Sequence, residues 1–176
     1  MVIFKNENLY YYLLDNNFLT HGIGEVDEDE TYFKFESIIK NGGLMSLDAL
    51  KEMGINVSGK VGGYRITAEN QISFFDPTVL EIKKRLLSEN YYYFLPFHPN
   101  VIFFIIDREN LNIYRNPNAS FEMNADDVVS IDSFRGIIAP SFCCAHLDEI
   151  QKKYGLSLPI YDFDFNITNS FNKKLK

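Results

Sequence analysis

Few side chains in this sequence have the type and placement to do chemistry. The clearest is the imidazole of His21, in Phe18-Leu19-Thr20-His21-Gly22-Ile23-Gly24. The stretch reads as a short strand ending on a histidine and a glycine. A histidine there offers one ring nitrogen at the edge of a cleft, and the glycine after it lets a ligand come close to the backbone. The same residues also suit a core histidine beside a loop glycine. His98, among the prolines of Leu95-Pro96-Phe97-His98-Pro99, reads as a surface or turn residue, and His146 falls off the apolar face of its helix. Cys143 and Cys144 are adjacent, so they can neither staple distant segments nor supply zinc-ligand spacing, and no metal cluster is expected. Gly54-Ile55-Asn56-Val57-Ser58-Gly59-Lys60 has the glycine and lysine spacing of a phosphate loop. Val61 stands where that loop needs a hydroxyl for magnesium, and a helix precedes it where a strand is required, so it reads as a loop.

The elements that must position these residues follow from periodicity and punctuation. Leu9–Leu14 is an apolar and aromatic run expected to be a helix beside the first strand. Tyr32, Phe35 and Ile39 recur at helical spacing, Glu36 and Lys40 stand one turn apart, and Gly42 supplies a stop. Ser46 caps a short helix carrying Leu47, Leu50 and Met53 that ends at Gly54. Tyr64-Arg65-Ile66 and Gln71–Phe75 read as strands. Asp76-Pro77 opens a helix with Val79, Ile82 and Leu86 inward, which makes Asp76 structural. Val101–Ile106 is an unbroken apolar run suited to a central strand covered on both faces. Residues 110–118 form a loop or hairpin, and a helix from Pro140-Ser141 runs to Gly155 with Cys143, Leu147, Ile150 and Tyr154 on one face. Pro159–Phe163 suits an edge strand.

The chain has 176 residues, 46% of them apolar, which suits one domain spanning 1–176 with a substantial core and a frayed tail from 166 to 176. Its net charge of -7, with the acidic run Glu25, Asp27, Glu28, Asp29 and Glu30, argues against an extended nucleic-acid surface. No apolar run approaches the roughly 18 residues of a membrane helix, and the N-terminus carries no leader pattern. A reducing cytoplasm is the simplest compartment for the unpaired cysteines.

The His21-Gly22 strand is followed by Phe35-Glu36-Ser37-Ile38-Ile39-Lys40-Asn41-Gly42-Gly43-Leu44, a helix stopped by glycine. This pairing resembles the opening motif of the ADP-ribosyltransferase superfamily in its histidine-type branch, which includes the poly(ADP-ribose) polymerases and the bacterial DNA-thymidine ADP-ribosyltransferase toxins. In that branch His-Gly holds the nicotinamide end of NAD. A strand of the form Ile-Tyr-Phe follows, whose tyrosine stacks on nicotinamide, and Ile72-Ser73-Phe74 resembles it with Ser73 in the tyrosine's place. Either Phe74 or Phe75 then supplies the stacking face, or the pocket differs, or NAD binding is lost. At least one of the two phenylalanines is expected in the core, because adjacent strand residues face opposite ways. Glu122 falls at the distance before Val129 that resembles the toxin branch's acidic residue, and Phe134-Arg135-Gly136-Ile137 resembles the end of the segment that follows.

The resemblance implies an α+β fold with a split β-sheet core, two packed antiparallel or mixed sheets, and flanking helices. It implies NAD as the substrate cofactor, His21, Gly22, Ser73, Phe74, Phe75 and Arg65 around it, and Glu122 with His21 as the catalytic pair. Cleaving the ribose–nicotinamide bond builds an oxocarbenium-like cation, which a carboxylate on the ribose hydroxyls stabilises more than the ground state. Asp126 and Asp127 are rivals of Glu122, since in the polymerase branch the glutamate directly precedes its strand. The expected activity is transfer of ADP-ribose to an acceptor that the sequence does not specify, in the manner of a bacterial or phage effector or toxin, with an antitoxin or protein partner consistent with that role. A catalytically inactive binding module for a nucleotide or protein is the alternative, which Ser73 favours. A relative of the RNA 2'-phosphotransferases would need several basic pocket residues that this acidic chain does not obviously provide. The transferase reading requires His21 and an acid near position 122 to converge across one crevice.

Overall fold

The computed structural model describes residues 7–26, 29–55, 70–78, 100–117 and 122–169. Outside them lie most of the glycine- and lysine-containing loop, Arg65 with its expected strand, the helix expected at Val79, Ile82 and Leu86, the segment with His98, and the last residues of the chain.

The described chain is α+β. Its elements run α1 (Glu7–Asp15), β1 (Phe18–Glu25), α2 (Asp29–Lys40), β2 (Gly43–Met45), α3 (Leu47–Glu52), β3 (Gln71–Phe75), β4 (Val101–Asp107), β5 (Ile113–Arg115), β6 (Glu122–Asp126), β7 (Val128–Ser130), β8 (Phe134–Ile138), α4 (Cys144–Lys153) and β9 (Ile160–Tyr161). Seven strands form one sheet in the order β5-β6-β3-β1-β4-β8-β9, and β2 pairs with β7 in a separate ribbon. All neighbours are antiparallel except β8 and β9. Among the described residues the strands thus form two sheets of unequal size, one of seven strands and one of two.

The larger sheet is weakly joined at one place. Strand β1 pairs with β4 from Phe18 to Glu25 but meets β3 at a single position, Thr20 opposite Phe75. Beyond Thr20 the two strands part, and the edge of β1 that carries His21 and Gly22 leaves the ladder with β3.

Strand β4 lies inside the sheet beside its middle strand β1 and is covered on both faces, as its unbroken apolar run predicts. Ile102, Phe104 and Ile106 belong to one core cluster and Val101, Phe103 and Ile105 to the other, so alternation sends its side chains into two buried layers. Helices α2 and α4 cover the first layer through Phe35, Ile39, Leu147 and Ile150, and Phe35 stacks on Phe104 at 5.4 Å. Helix α1 covers the second through Leu9, Tyr10 and Leu13. The C-terminal end of α4 is tied to the body of α2, where Lys153 Nζ and Tyr154 OH both donate to Glu36 Oε1, at 2.6 and 2.7 Å.

The punctuation expected from sequence acts as drawn. Ser46 Oγ accepts from Ala49 N at 3.1 Å and caps α3, while Gly42, Gly54 and Gly155 take positive φ after their helices. The tail differs. Residues 166–169 are not frayed, because Ile167 bridges Tyr161, Thr168 N donates to Ile160 O, and Asn169 Nδ2 donates to Leu158 O at 2.7 Å. Gln151, fully buried on α4, holds the approach to β9 by bonds to both N and O of Leu158.

Candidate functional site

His21 sits where β1 and β3 part. Its Nδ1–H donates to the backbone oxygen of Ser73 at 2.7 Å, and its ring lies 5.7 Å from that of Phe74. A carbonyl can only accept, so this bond fixes the tautomer of the neutral ring and leaves Nε2 as an acceptor. Burial lowers the imidazole pKa, opposed in part by the Ser73 bond, so the ring is neutral at physiological pH. A neutral acceptor of this kind suits a hydroxyl donor such as a sugar O–H.

Gly22 has a packing reason for being glycine. A Cβ at this position would lie 3.0 Å from Cε1 of Phe103 and 3.4 Å from Cγ1 of Val101. The space left by the missing side chain is filled by the core beneath α1, not held open for a ligand. Only the backbone edge of Gly22, beyond the point where β3 departs, remains for a ligand to approach.

Of the two phenylalanines on β3, Phe74 is buried in the main core, as expected for at least one of them. Phe75 points the other way and is only partly buried. Ser73 lies on the Phe75 face, and its register partner on β6 is Asn124.

The acid is where the expected geometry fails. Thr20 stands opposite Phe75, and Phe75 stands opposite Glu122, so these three side chains leave the sheet on one face. His21, one residue on from Thr20, leaves on the other face with Phe74. The imidazole and the Glu122 carboxylate therefore do not converge across a common face, and the strand β3 lies between them. At this point β1 and β3 are joined in register only by Thr20 and Phe75, and the imidazole bridges from β1 to the Ser73 carbonyl.

Glu122 is still the best placed of the candidate acids. It is half-buried, its Oε2 accepts from Asn116 Nδ2 at 2.9 Å, and burial raises its pKa against that bond. Asp126 is exposed and accepts from Tyr114 OH at 2.6 Å. Asp127 is a corner residue with φ of 52° whose backbone bonds Asn70 and Ser46. Its role is to turn β6 into β7.

Two features near the site go beyond the sequence reading, the partners of Asp76 and a polar row on β3 and β6. Asp76 is fully buried at the end of β3 and accepts from Thr78 N and Thr78 Oγ1, from Arg108 at 2.8 Å and from Arg115 at 3.2 Å. It thereby ties β3 to the exit of β4 and to β5, the strand that flanks β6. The second is a row of polar side chains on the Glu122 face. β3 sends Gln71, Ser73 and Phe75 there and β6 sends Glu122, Asn124 and Asp126, none of them basic. Polar residues alternating with Met123 and Ala125 along β6 were the available signal. Among the described residues no group of three or more metal-ligating side chains occurs, and no helix is long and apolar enough to cross a membrane.

No family model, curated protein or solved structure matches the chain.

Proposed function

We propose that this chain is an NAD-binding domain of the ADP-ribosyltransferase type, with the dinucleotide lying across the opening between β1 and β3. The observation that carries this reading is the adjacency of β6, β3 and β1. Three strands far apart in sequence, bearing Glu122, Ile72-Ser73-Phe74 and His21-Gly22, lie side by side in the sheet, and His21 bonds the backbone of Ser73. In this reading Nε2 of His21 accepts from a sugar hydroxyl on one side of the opening. The backbone edge of Gly22 holds the nicotinamide end there, and Glu122 reaches, from the other side, the ribose whose glycosidic bond breaks. The carboxylate stabilises the developing positive charge, nicotinamide leaves with the bonding pair, and an acceptor nucleophile takes the ADP-ribosyl group.

A second reading is favoured by two observations: the opposite faces of His21 and Glu122, and a serine where an aromatic ring would stack. It keeps NAD binding and discards turnover. One experiment separates the two. Purified protein is incubated with NAD, nicotinamide release is followed, and NAD binding is measured by calorimetry, for wild type, Glu122→Gln and His21→Ala. Release that both substitutions abolish supports the transferase, while binding without release supports the module. No binding by the wild type refutes both.

A further inference from the structure

Phe33 is 72% exposed on the outer face of α2, yet it borders a groove large enough to hold such a ring. A single apolar side chain in water needs no explanation by itself, but the neighbours of this one give it a meaning. The groove measures about 390 Å³ and runs along α2 past Ser37 to Lys40, with Ile55, after α3, and Lys153 and Tyr154, at the end of α4, as its other walls. A cavity of roughly 150 Å³ already takes a benzene ring. The groove is also charged. Two lysines and Glu36 line it, and Glu36 already accepts from Lys153 Nζ and Tyr154 OH. It is therefore net positive, in a chain whose net charge is -7.

Helical spacing places Glu30, Phe33, Ser37 and Lys40 in one stripe of α2, at i, i+3, i+7 and i+10. Glu30, Phe33 and Lys40 are exposed and Ser37 is partly buried. The stripe is thus acidic at one end and basic at the other, with a large side chain and a small one between. Reversing its direction about Phe35 puts Glu30 opposite Lys40 and Phe33 opposite Ser37. A two-fold axis perpendicular to the helix performs that reversal for both chains at once, so every contact is made twice.

We propose that the chain pairs with a second copy of itself through antiparallel α2 helices, each Phe33 seated in the other copy's groove beside Ser37. Glu30 of each copy then meets Lys40 of the other, where Lys153 adds to the positive charge. The two rings, displaced by about one helical turn along the pair, lie close enough to pack on each other. Glu30 also lies 4.0 Å from Lys34 of its own helix, but both side chains reach solvent and such a pair is weak. A foreign acidic peptide would suit the lysines and be repelled by Glu30, and a basic one the reverse, whereas a second copy answers all four positions. The surface is small beside the roughly 800 Å² per partner of a stable complex, so pairing belongs to micromolar concentrations and above. The proposal is independent of NAD binding.

The test is sedimentation equilibrium of the purified protein from about 1 µM to about 1 mM. The weight-average mass of the wild type should rise from one chain toward two. Phe33→Ala, at an exposed position, should keep its melting temperature and weaken pairing at least about tenfold. Glu30→Lys and Lys40→Glu each bring like charges together at both ends of the pair, and each alone should stay a single chain. Mixing these two variants restores opposite charges at both ends, so the mixture should pair where neither variant does. A damaged fold cannot produce that rescue. A wild type that remains one chain at the highest concentration overturns the proposal and leaves the groove to a foreign ligand. So does a dimer that Phe33→Ala leaves intact, or a mixture of the charge variants that stays unpaired.

Discussion

The placement of the candidate site depends on a buried carboxylate, and removing it gives a sharp prediction. Asp76 ends β3 with its side chain 1% exposed, while Arg108 is 18% exposed and Arg115 51%. Asp76→Ala deletes two bonds from Thr78 and leaves the Arg108 guanidinium mostly out of water with its partner gone. Breaking a buried pair from one side costs about 3–5 kcal/mol. The Arg115 contribution must be discounted, because half of that side chain is in solvent and exposed pairs are worth roughly 0–1 kcal/mol. The expected loss is therefore about 3–4 kcal/mol, or roughly 6 to 15 °C in melting temperature for a chain of this size. Arg115→Ala should cost less than about 1 kcal/mol. The pH dependence supplies a second signature. Burial alone would raise the Asp76 pKa, but the bonds from Thr78 and Arg108 outweigh it and the pKa is lowered. The unfolded chain then binds the proton more readily than the folded one, so this stabilisation is complete above the ordinary aspartate pKa of about 3.9. It is lost as pH falls through the lower folded value. Thermal melts of wild type and Asp76→Ala from pH 7 to pH 2.5 should converge at the acid end. A variant that melts within about 2 °C of wild type at pH 7, or a gap that stays constant into acid, would refute the account of Asp76 as the tie between β3, β4 and β5.

Three further outcomes are expected. Gly22→Ala places a methyl 3.0 Å from the Phe103 ring and should destabilise the fold by about 1–3 kcal/mol in urea titration; unchanged stability with lost NAD binding would show that the glycine serves the ligand alone. Burial lowers the His21 pKa, opposed in part by the Ser73 bond, so its contribution is full above the unfolded histidine value of about 6.5 and shrinks as pH falls from there toward the folded one. The stability difference between wild type and His21→Phe, measured by melts at pH 7.5 and 5.5, should narrow in acid. Glu122→Gln removes a half-buried charge whose pKa burial has raised, and its amide oxygen can still accept from Asn116. It should leave stability equal or higher at pH 7, by less than about 1 kcal/mol, and a clear loss would mean that the carboxylate is paired.

Elements whose evidence is local were legible in the sequence. The apolar run of β4, the Ser46 cap, and the glycine stops after α2, α3 and α4 each depend on a few neighbouring residues, and each appears as read. Residues 166–169 were not legible for the same reason, since nothing local in Asn166–Asn169 announces that Asn169 and Thr168 bond back to Leu158 and Ile160. The Asp76 cluster joins residues 32 and 39 positions apart. Its structural role was visible, and its two arginines were not. Gly22 shows a different limit: two physical reasons predict a glycine at that position, and only the ring of Phe103 decides between them.

The relation between His21 and Glu122 was harder because it is a question of parity. Within one strand, alternation orders the faces without ambiguity, but the parity of one strand against the next is set by register, and a slip of one residue exchanges every side chain between faces. Had β3 met β1 one residue further along, Glu122 would share a face with His21. Yet the sequence held a clue that needed no coordinates. In Glu122-Met123-Asn124-Ala125-Asp126 the apolar residues are Met123 and Ala125, and in Ile72-Ser73-Phe74 they are Ile72 and Phe74. Those four go to the main core. On β1, Leu19 and Ile23 also go there, and His21 has their parity. Sorting each strand by its apolar positions thus puts the histidine on the core side and the acid on the other. A ligand that uses both must then pass where the sheet is joined by one pair of residues, Thr20 and Phe75. On the proposed reading the weak junction is consequently a condition for the site: one dinucleotide would reach His21 and Glu122 together only if β1 and β3 stay apart beyond it.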